Sequence, residues 1–337
     1  MHTLILKARR PSIRYVLIAL MLVYAMLYCG VSQAAPTPSL NCSATTADNL
    51  NFGNVDALAG IASGVSGIIS YSCTNTQNNS NGSVLLCFNI GTGTNSTSSY
   101  DPRQINATPT GALQYRIYRD GPGGQIWGNT NATTAFVPTF NMAKGDIASG
   151  TIIMYGSIAA NQNSITPGTY QSDFTAKLMW AADSTPNLTL NCSSATNSGG
   201  TFTFSVIANV IKRCAITATD LNFGAVSNIG TASVNGSTQI GISCSNGLPF
   251  QVGLDNGVNS PGNTRNMKKT NGAELMRYEL YRDASRSERW GNTKDSDTVS
   301  QTGSGSSVAI NVYGQAYPAP GTTAGDYADT VTITLYY

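Results

Sequence analysis

The chain contains the same ordered set of short motifs twice, and this duplication constrains its fold more than any other feature. The segment CSATTADNLNFGNV begins at Cys42, and its counterpart CAITATDLNFGAV begins at Cys214. The motifs YRIYRD and YELYRD follow, each with WGNT after it, and PGTYQSDFT at Pro167 matches AGDYADTVT at Ala324. Landmarks that recur in the same order predict two tandem copies of one structural unit.

Each copy breaks into short segments of alternating polarity, separated by stretches rich in Gly, Ser, Thr and Asn. Such segments at turn-rich intervals are typical of an antiparallel β-sandwich. Only 11% of the residues are charged. We therefore expect an exported all-β protein with one sandwich in each copy.

Residues 1–34 have the pattern of a secretory signal peptide. A basic N-terminal region precedes the apolar run Tyr15 to Leu27, and Ser32-Gln33-Ala34 then offers a small-residue cleavage site. An uncleaved membrane anchor is the alternative interpretation. The formal net charge of +2 includes the basic residues of this segment, so the chain that follows it is nearly neutral. Nucleic-acid binding through a basic electrostatic field is therefore not expected.

Removal of the signal peptide removes Cys29 and leaves an even number of cysteines, which in an exported chain indicates disulfides. IISYSC ends at Cys73 and QIGISC ends at Cys244, at the same distance from the LNFG motif in both copies. The repeat therefore pairs Cys42 with Cys73 and Cys214 with Cys244. Cys87 and Cys192 occur only in the first copy and remain for each other.

The segment TFTFSVIANV, residues 201–210, alternates like a strand with one buried face, and it lies just before the second copy. The side chains expected to share the buried face are Phe202, Phe204, Val206, Ala208 and Val210.

The repeated motifs C-x-(I/A)-x-A-T-x-LNFG, YxxYRD, WGN, YG and G-x-Y-x-x-x-(V/F)-T resemble those of the spore coat protein U domain. The resemblance covers nearly all of the chain after the signal peptide, twice. This family includes the subunits of archaic, Csu-type chaperone–usher pili. The resemblance implies immunoglobulin-like sandwiches that lack their last strand, with the gap filled by a neighbouring subunit, and two-domain members resemble the adhesin at the pilus tip.

On this resemblance we expect an N-terminal adhesin domain over 35–210, with 201–210 as its own donor strand, and an incomplete C-terminal pilin domain over 211–337. The second domain would accept a strand from a periplasmic chaperone and later from the adjacent pilin, after passage through an outer-membrane usher. The few residues before Cys42 include prolines and cannot serve as a donor strand, and no strand follows TLYY. An acceptor without a donor is expected at the tip of a pilus on the cell surface.

Longer loops distinguish the first copy from the second, and loops on a rigid sandwich commonly carry binding sites. The apolar residues expected to form a surface-binding patch there are Ile126, Phe136, Val137, Pro138, Ile158 and Ile165. Such a patch would attach to abiotic or host surfaces and support biofilm formation. Two alternatives remain: Phe136 and Val137 fill an extra strand, or the polar loops 74–83 and 92–110, with Tyr100, bind carbohydrate as in a lectin.

Catalysis is not expected. The single histidine, His2, lies in the signal peptide, so neither an imidazole base nor a metal site containing histidine is expected in the mature chain, and no cofactor is predicted. Asp120 and Asp173 lie in or beside repeated motifs, which favours a structural role. The other non-enzymatic alternative is a structural spore-coat or surface-layer protein.

Overall fold

The structure, a computed structural model, describes residues 40–59, 63–76, 82–96, 99–106, 111–183, 190–226 and 232–337. The predicted signal peptide, the cleavage site and His2 lie outside these ranges. The described residues form strands, turns and loops, without a helix among them, and the prediction of an all-β fold with tandem sandwiches is confirmed. No helix within the described ranges has the length and apolar character needed to cross a membrane.

The strands of the first copy form what we call the first sandwich. They are β1 Leu40–Ala47, β2 Leu50–Val55, β3 Ser63–Asn75, β4 Gly82–Asn89, β5 Arg103–Asn106, β6 Ala112–Tyr118, β7 Ala135–Met142, β8 Ile147–Ile158, β9 Gly168–Asp183 and β10 Asn197–Val210. One 5-stranded sheet has the order β1-β3-β8-β6-β5, and the 5-stranded sheet facing it has the order β2-β10-β9-β4-β7.

The strands of the second copy form the second sandwich. They are β11 Cys214–Ala218, β12 Val234–Cys244, β13 Pro249–Leu254, β14 Arg265–Lys269, β15 Leu275–Tyr281, β16 Val299–Thr302, β17 Ser307–Tyr317, β18 Tyr327–Ala328 and β19 Ile333–Tyr336. A 6-stranded sheet has the order β11-β12-β17-β15-β14-β18, and a 3-stranded sheet has the order β16-β13-β19.

Each sandwich has its own hydrophobic core, because alternate residues of its strands point between the two sheets. Strand β9 illustrates the pattern: Tyr170, Phe174, Ala176 and Leu178 are buried and alternate with exposed residues. Strand β4 departs from it, since both of its faces are buried. Cys87 on its outer face is joined to Cys192 in the segment that connects β9 to β10.

The other disulfides occupy equivalent positions in the two sandwiches. Cys42–Cys73 joins β1 to β3, and Cys214–Cys244 joins β11 to β12. In both cases the bonded cysteines are directly opposite each other in neighbouring antiparallel strands.

The repeated YRD and WGN motifs build a hairpin in each sandwich. Trp127 is fully buried and its indole Nε1 donates to the Phe88 carbonyl oxygen at 2.7 Å, while Trp290 donates to the Val252 carbonyl oxygen at 2.8 Å. In the turn of the first hairpin, the Asp120 carboxylate accepts the backbone N–H of Gln125 at 2.6 Å. These contacts give the motif a scaffold role in both copies.

Candidate binding groove and exposed apolar surface

Strand β10 lies inside the second sheet of the first sandwich, between the edge strand β2 and β9. It runs parallel to β2, with Val206 opposite Leu50, and antiparallel to β9, with Phe204 opposite Phe174. Its inward side chains are all buried in the core of the first sandwich; they are Phe202, Phe204, Val206, Ala208 and Val210. The first sandwich thus has a strand at this position supplied by its own chain.

Aromatic contacts fix the register of β10. The ring of Phe204 stacks on that of Phe174, with 4.5 Å between the ring centroids and 8° between the ring planes. The ring of Phe202 meets that of Phe88 edge-on, with the centroids 6.2 Å apart. A slip of one residue would turn these side chains out of the core, so the aromatic contacts disfavour other registers.

Polar contacts hold the outer face of β10. The backbone N–H of Ser205 donates to Oδ1 of Asn49 at 2.7 Å, and the Ser205 hydroxyl donates to Oδ1 of Asp173 at 2.6 Å. This second bond, together with one from Gln171, holds the pKa of the Asp173 carboxyl below its usual value. The Asp173 carboxylate is therefore part of the contact between β9 and β10.

The second sandwich has a groove at the position that β10 occupies in the first. Strand β19 pairs with β13, and the described residues provide no strand on its other side. Residues 221–226, which correspond to β2, are described but do not form a strand. Between these segments lies a groove of about 860 Å³.

The groove floor is apolar and is incompletely covered. Leu221 and Phe223 on one side and Val331 and Ile333 on the other are only partly buried. Their counterparts in the first sandwich are buried in its core; they are Leu50, Phe52, Phe174 and Ala176. Covering these side chains with a strand would bury apolar surface and satisfy backbone groups at the open sheet edge.

The predicted surface-binding residues of the first sandwich do not form one patch. Phe136 on β7 is 51% exposed and Pro138 is exposed, whereas Val137 and Ile126 are partly buried. Phe136 lies opposite Cys87 on the outer face of its sheet, so it belongs to a strand and not to a loop tip.

Ile158 and Ile165 were wrongly assigned to that patch. Each is only 2% exposed and belongs to the core of the first sandwich. Ile158 is at the end of β8 and lies on the same face as the buried Met154, as the two-residue period of a strand requires. Ile165 lies beside the contact between the sandwiches, where Asn246 Nδ2 of the second sandwich donates to the Ser164 carbonyl oxygen at 2.6 Å.

An exposed apolar pair on the other sheet was missed by the sequence analysis. Ile68 on β3 and Ile153 on β8 are directly opposite each other, and they are 44% and 42% exposed. Gln239 and Asn311 occupy the same positions in the second sandwich, where the Gln239 amide donates to Oδ1 of Asn311 at 2.9 Å. Alignment of the two copies contained this signal, because each isoleucine is replaced by a polar residue in the repeat.

The polar loops considered for carbohydrate binding are described only in part. Tyr100 is in the described part, where its hydroxyl is hydrogen-bonded to Oδ1 of Asn129 and its ring lies near the guanidinium of the buried Arg103. Within the described residues, no group of three or more His, Cys, Asp or Glu side chains is placed to hold a metal ion.

Comparison with solved structures found chains of similar arrangement. One match is a chain of the CsuC–CsuE chaperone–tip adhesion subunit pre-assembly complex from archaic chaperone–usher Csu pili of Acinetobacter baumannii. The two chains are 20% identical with a TM-score of 0.49, and the match covers 88% of this chain and 100% of that one. It is 9% identical, with a TM-score of 0.41, to the CupB6 tip adhesin from Pseudomonas aeruginosa, and that match covers 89% of this chain and 95% of the other.

No curated protein matches the sequence significantly. The family model described as the Spore Coat Protein U domain matches residues 29–177 and again residues 200–334. Since these two matches span most of the chain, the protein belongs to the spore coat protein U domain family.

Proposed function

We propose that this protein is the tip adhesin subunit of a chaperone–usher pilus. The first sandwich attaches to a surface and promotes biofilm formation, and the second joins the fibre by accepting a strand from another subunit. The chain is exported through the periplasm, held there by a chaperone, and passed through an outer-membrane usher to the cell surface. It acts by binding and has no catalytic role.

One observation carries the proposal: the two copies of the same fold differ at the strand position that β10 occupies. In the first sandwich, β10 fills the site between β9 and β2 with buried side chains. In the second, the corresponding site is an open groove with partly exposed apolar side chains. An open sheet edge above an apolar groove is suited to β-augmentation by a strand from a partner chain.

The family supports this assignment. The repeated domain belongs to a family that includes pilus subunits, and membership is shown for both copies of this chain. A sandwich completed by its own chain is free for another task, whereas an incomplete one requires a partner for stability. This division of roles is the one expected of a two-domain subunit at the end of a fibre.

The groove assignment is tested by co-expressing the full chain with the periplasmic chaperone of its pilus system. We expect a one-to-one complex that Leu221→Arg or Val331→Asp abolishes, since each places a charge on the groove floor. Val258→Arg is the matched control, because Val258 is 70% exposed in the second sandwich and does not line the groove. A complex that survives both groove variants would refute the assignment.

The adhesive role is tested separately in the first sandwich. The double variant Ile68→Gln, Ile153→Asn installs the polar pair of the second sandwich, and Phe136→Asp charges the outer face of β7. We expect weaker attachment of cells to polystyrene while the thermal unfolding and secretion of the protein are unchanged. Unchanged attachment to polystyrene combined with binding on a glycan array would favour a lectin.

A further inference from the structure

The groove of the second sandwich differs from the filled site of the first in its charge. Three aspartates line the groove, Asp220, Asp326 and Asp329, and its described lining contains neither lysine nor arginine. The residues aligned with these three are the neutral Asn49, Thr169 and Ser172, whereas Asp48 and Asp173 of the first site align with Thr219 and Thr330 of the groove. The carboxylates of the two sites therefore lie at different positions, with three in the groove and two in the corresponding segments of the first sandwich.

In the first sandwich the three neutral residues each meet a known position of the inserted strand. Asn49 accepts the backbone N–H of Ser205, Thr169 is opposite Asn209, and Ser172 is opposite Val206. A strand in the second groove would meet Asp220, Asp326 and Asp329 at the corresponding positions. The register of β10 therefore identifies which residues of an incoming strand meet each carboxylate.

Asp329 aligns with Ser172, which is opposite the inward-facing Val206 in the first sandwich. Its carboxylate accepts the Tyr278 hydroxyl at 2.7 Å, the Asn259 side-chain amide at 2.9 Å and the Asn259 backbone N–H at 3.2 Å. A carboxylate has about four acceptor sites, so these three bonds leave room for one further donor, which a covering strand can supply in place of water. An aliphatic residue such as Val206 provides none.

Asp220 and Asp326 are at the exposed rim of the groove. Lys269 lies beside Gly325, and its ammonium group is hydrogen-bonded to Thr323 and lies 3.9 Å from Glu274. The carboxylates of the rim thus favour cationic side chains on the outer face of an incoming strand.

We propose that the groove selects an apolar donor strand, from the adjacent subunit of the fibre, that carries a hydrogen-bond donor opposite Asp329 and basic residues beside Asp220 and Asp326. This inference rests on the proposed function, which assigns a donor strand to the groove. It has a consequence for the chain itself: β10 has Val206, Ser205 and Asn209 at these positions and lacks a basic residue. The groove therefore disfavours a β10 strand from another copy of this chain, which limits self-polymerisation.

The test uses synthetic peptides and the full mature chain. One peptide has the sequence of residues 201–210, and the other carries Ser205→Lys, Val206→Thr and Asn209→Lys. We expect the substituted peptide to bind about three- to tenfold more tightly at low salt, as two solvent-exposed charge pairs allow, with a smaller difference at 1 M salt. The variant Asp220→Asn, Asp326→Thr, Asp329→Ser, which restores the residues of the first sandwich, should bind both peptides equally.

The outcomes separate the two proposals. Equal affinity of the unmodified chain for both peptides, or a preference that persists in the triple variant, would overturn the inference about charge and leave the acceptor groove intact. Failure of both peptides to bind, together with failure to bind the chaperone, would overturn the acceptor groove and the inference with it. Thermal unfolding of the second sandwich serves as the folding control for the triple variant.

Discussion

At the scale of single residues, the Asp173 carboxylate joins the neighbouring strands β9 and β10 through hydrogen bonds. Ser205 Oγ on β10 and Gln171 Nε2 on β9 both donate to Asp173 Oδ1, at 2.6 and 2.8 Å. These hydrogen bonds favour the ionised form and lower the pKa of Asp173 from its ordinary value of 3.8. Ionisation of Asp173 therefore helps to hold β10 against β9.

This linkage predicts an acid-dependent loss of stability. Because the pKa is lower in the folded than in the unfolded state, the stabilisation is fully present above about pH 4 and is lost as the pH falls through the folded-state pKa. Ser205→Ala should raise the pKa of Asp173 toward 3.8, as measured by NMR titration of its carboxyl carbon. Thr203→Ala, on the same exposed face of β10, is the control, and an unshifted pKa in Ser205→Ala would contradict the expectation.

The buried arginines are the second residue-scale feature. Arg265 is fully buried, forms an ion pair with Glu279, and donates to the carbonyl oxygens of Leu254 and Trp290 at 2.7 and 2.8 Å. Arg103 is its buried counterpart, and its described hydrogen bonds are to carbonyl oxygens. Burial lowers the pKa of Arg103 to about 10.

Removal of the carboxylate partner should be costly in the second sandwich. Glu279→Ala leaves Arg265 buried without its counter-charge, and breaking a buried pair typically costs about 3–5 kcal/mol. Urea unfolding of the full chain, followed by fluorescence of the nearby Trp290, would measure this loss. Glu288→Ala, whose side chain is 61% exposed, should cost less than about 1 kcal/mol, and equal losses in the two variants would refute the argument.

At the scale of elements, β10 decides whether a sandwich is closed. It is an interior strand of its sheet, since β2 and β9 both pair with it. The disulfide Cys87–Cys192 ties the segment before β10 to β4 and so keeps this strand near its own sandwich. A tether of this kind reduces the entropy lost when the strand inserts.

The contribution of β10 to the stability of the first sandwich is measured by truncating one of its buried aromatic side chains. Phe204→Ala removes a ring stacked on Phe174, and a cavity of this kind costs about 3–5 kcal/mol. We expect the loss in the unfolding transition of the first sandwich, with that of the second unchanged, as followed by urea unfolding. Thr203→Ala, an exposed neighbour on the same strand, should change the free energy of unfolding by less than about 0.5 kcal/mol.

At the scale of the whole molecule, the two sandwiches are joined by more than a linker. Ile211 N–H donates to the Val55 carbonyl oxygen at 3.0 Å, and Arg213 lies 3.4 Å from the Asp56 carboxylate. Gly305 of the second sandwich is so close to the Asn163 backbone of the first that any side chain there would collide, and its φ of 75° also favours glycine. The open groove and the surface of the first sandwich thus belong to one connected molecule.

Because β10 completes the first sandwich and the second has an open groove, we expect two unfolding transitions in calorimetry. The second sandwich should unfold first, because its groove leaves apolar side chains partly exposed, and a bound donor strand at about 100 times its Kd should stabilise it by about 2.7 kcal/mol. When unfolding is followed by fluorescence, the transition of the second sandwich should keep its signal in Trp127→Phe and lose it in Trp290→Phe, because Trp290 lies in the core of the second sandwich. A donor strand that shifts only the transition of the first sandwich would contradict this assignment.

The sequence by itself determined the features that depend on local period and on repetition. The ordered motifs indicated two copies and an all-β fold, because alternation at a period of two is a property of the chain before it folds. The same alternation indicated that the inward residues of β10 share one face. The repeat also related Cys42 and Cys73 to Cys214 and Cys244.

Only the tertiary structure decided which faces are covered and which residues from distant segments meet. Phe136 is exposed and Ile158 is buried although both are apolar residues in strands, because exposure depends on which sheet packs against each face. Ile68 and Ile153 become one surface only when β3 pairs with β8. The groove likewise arises from segments far apart in the chain, and its acidic lining is formed only when the fold brings Asp220 near Asp326 and Asp329.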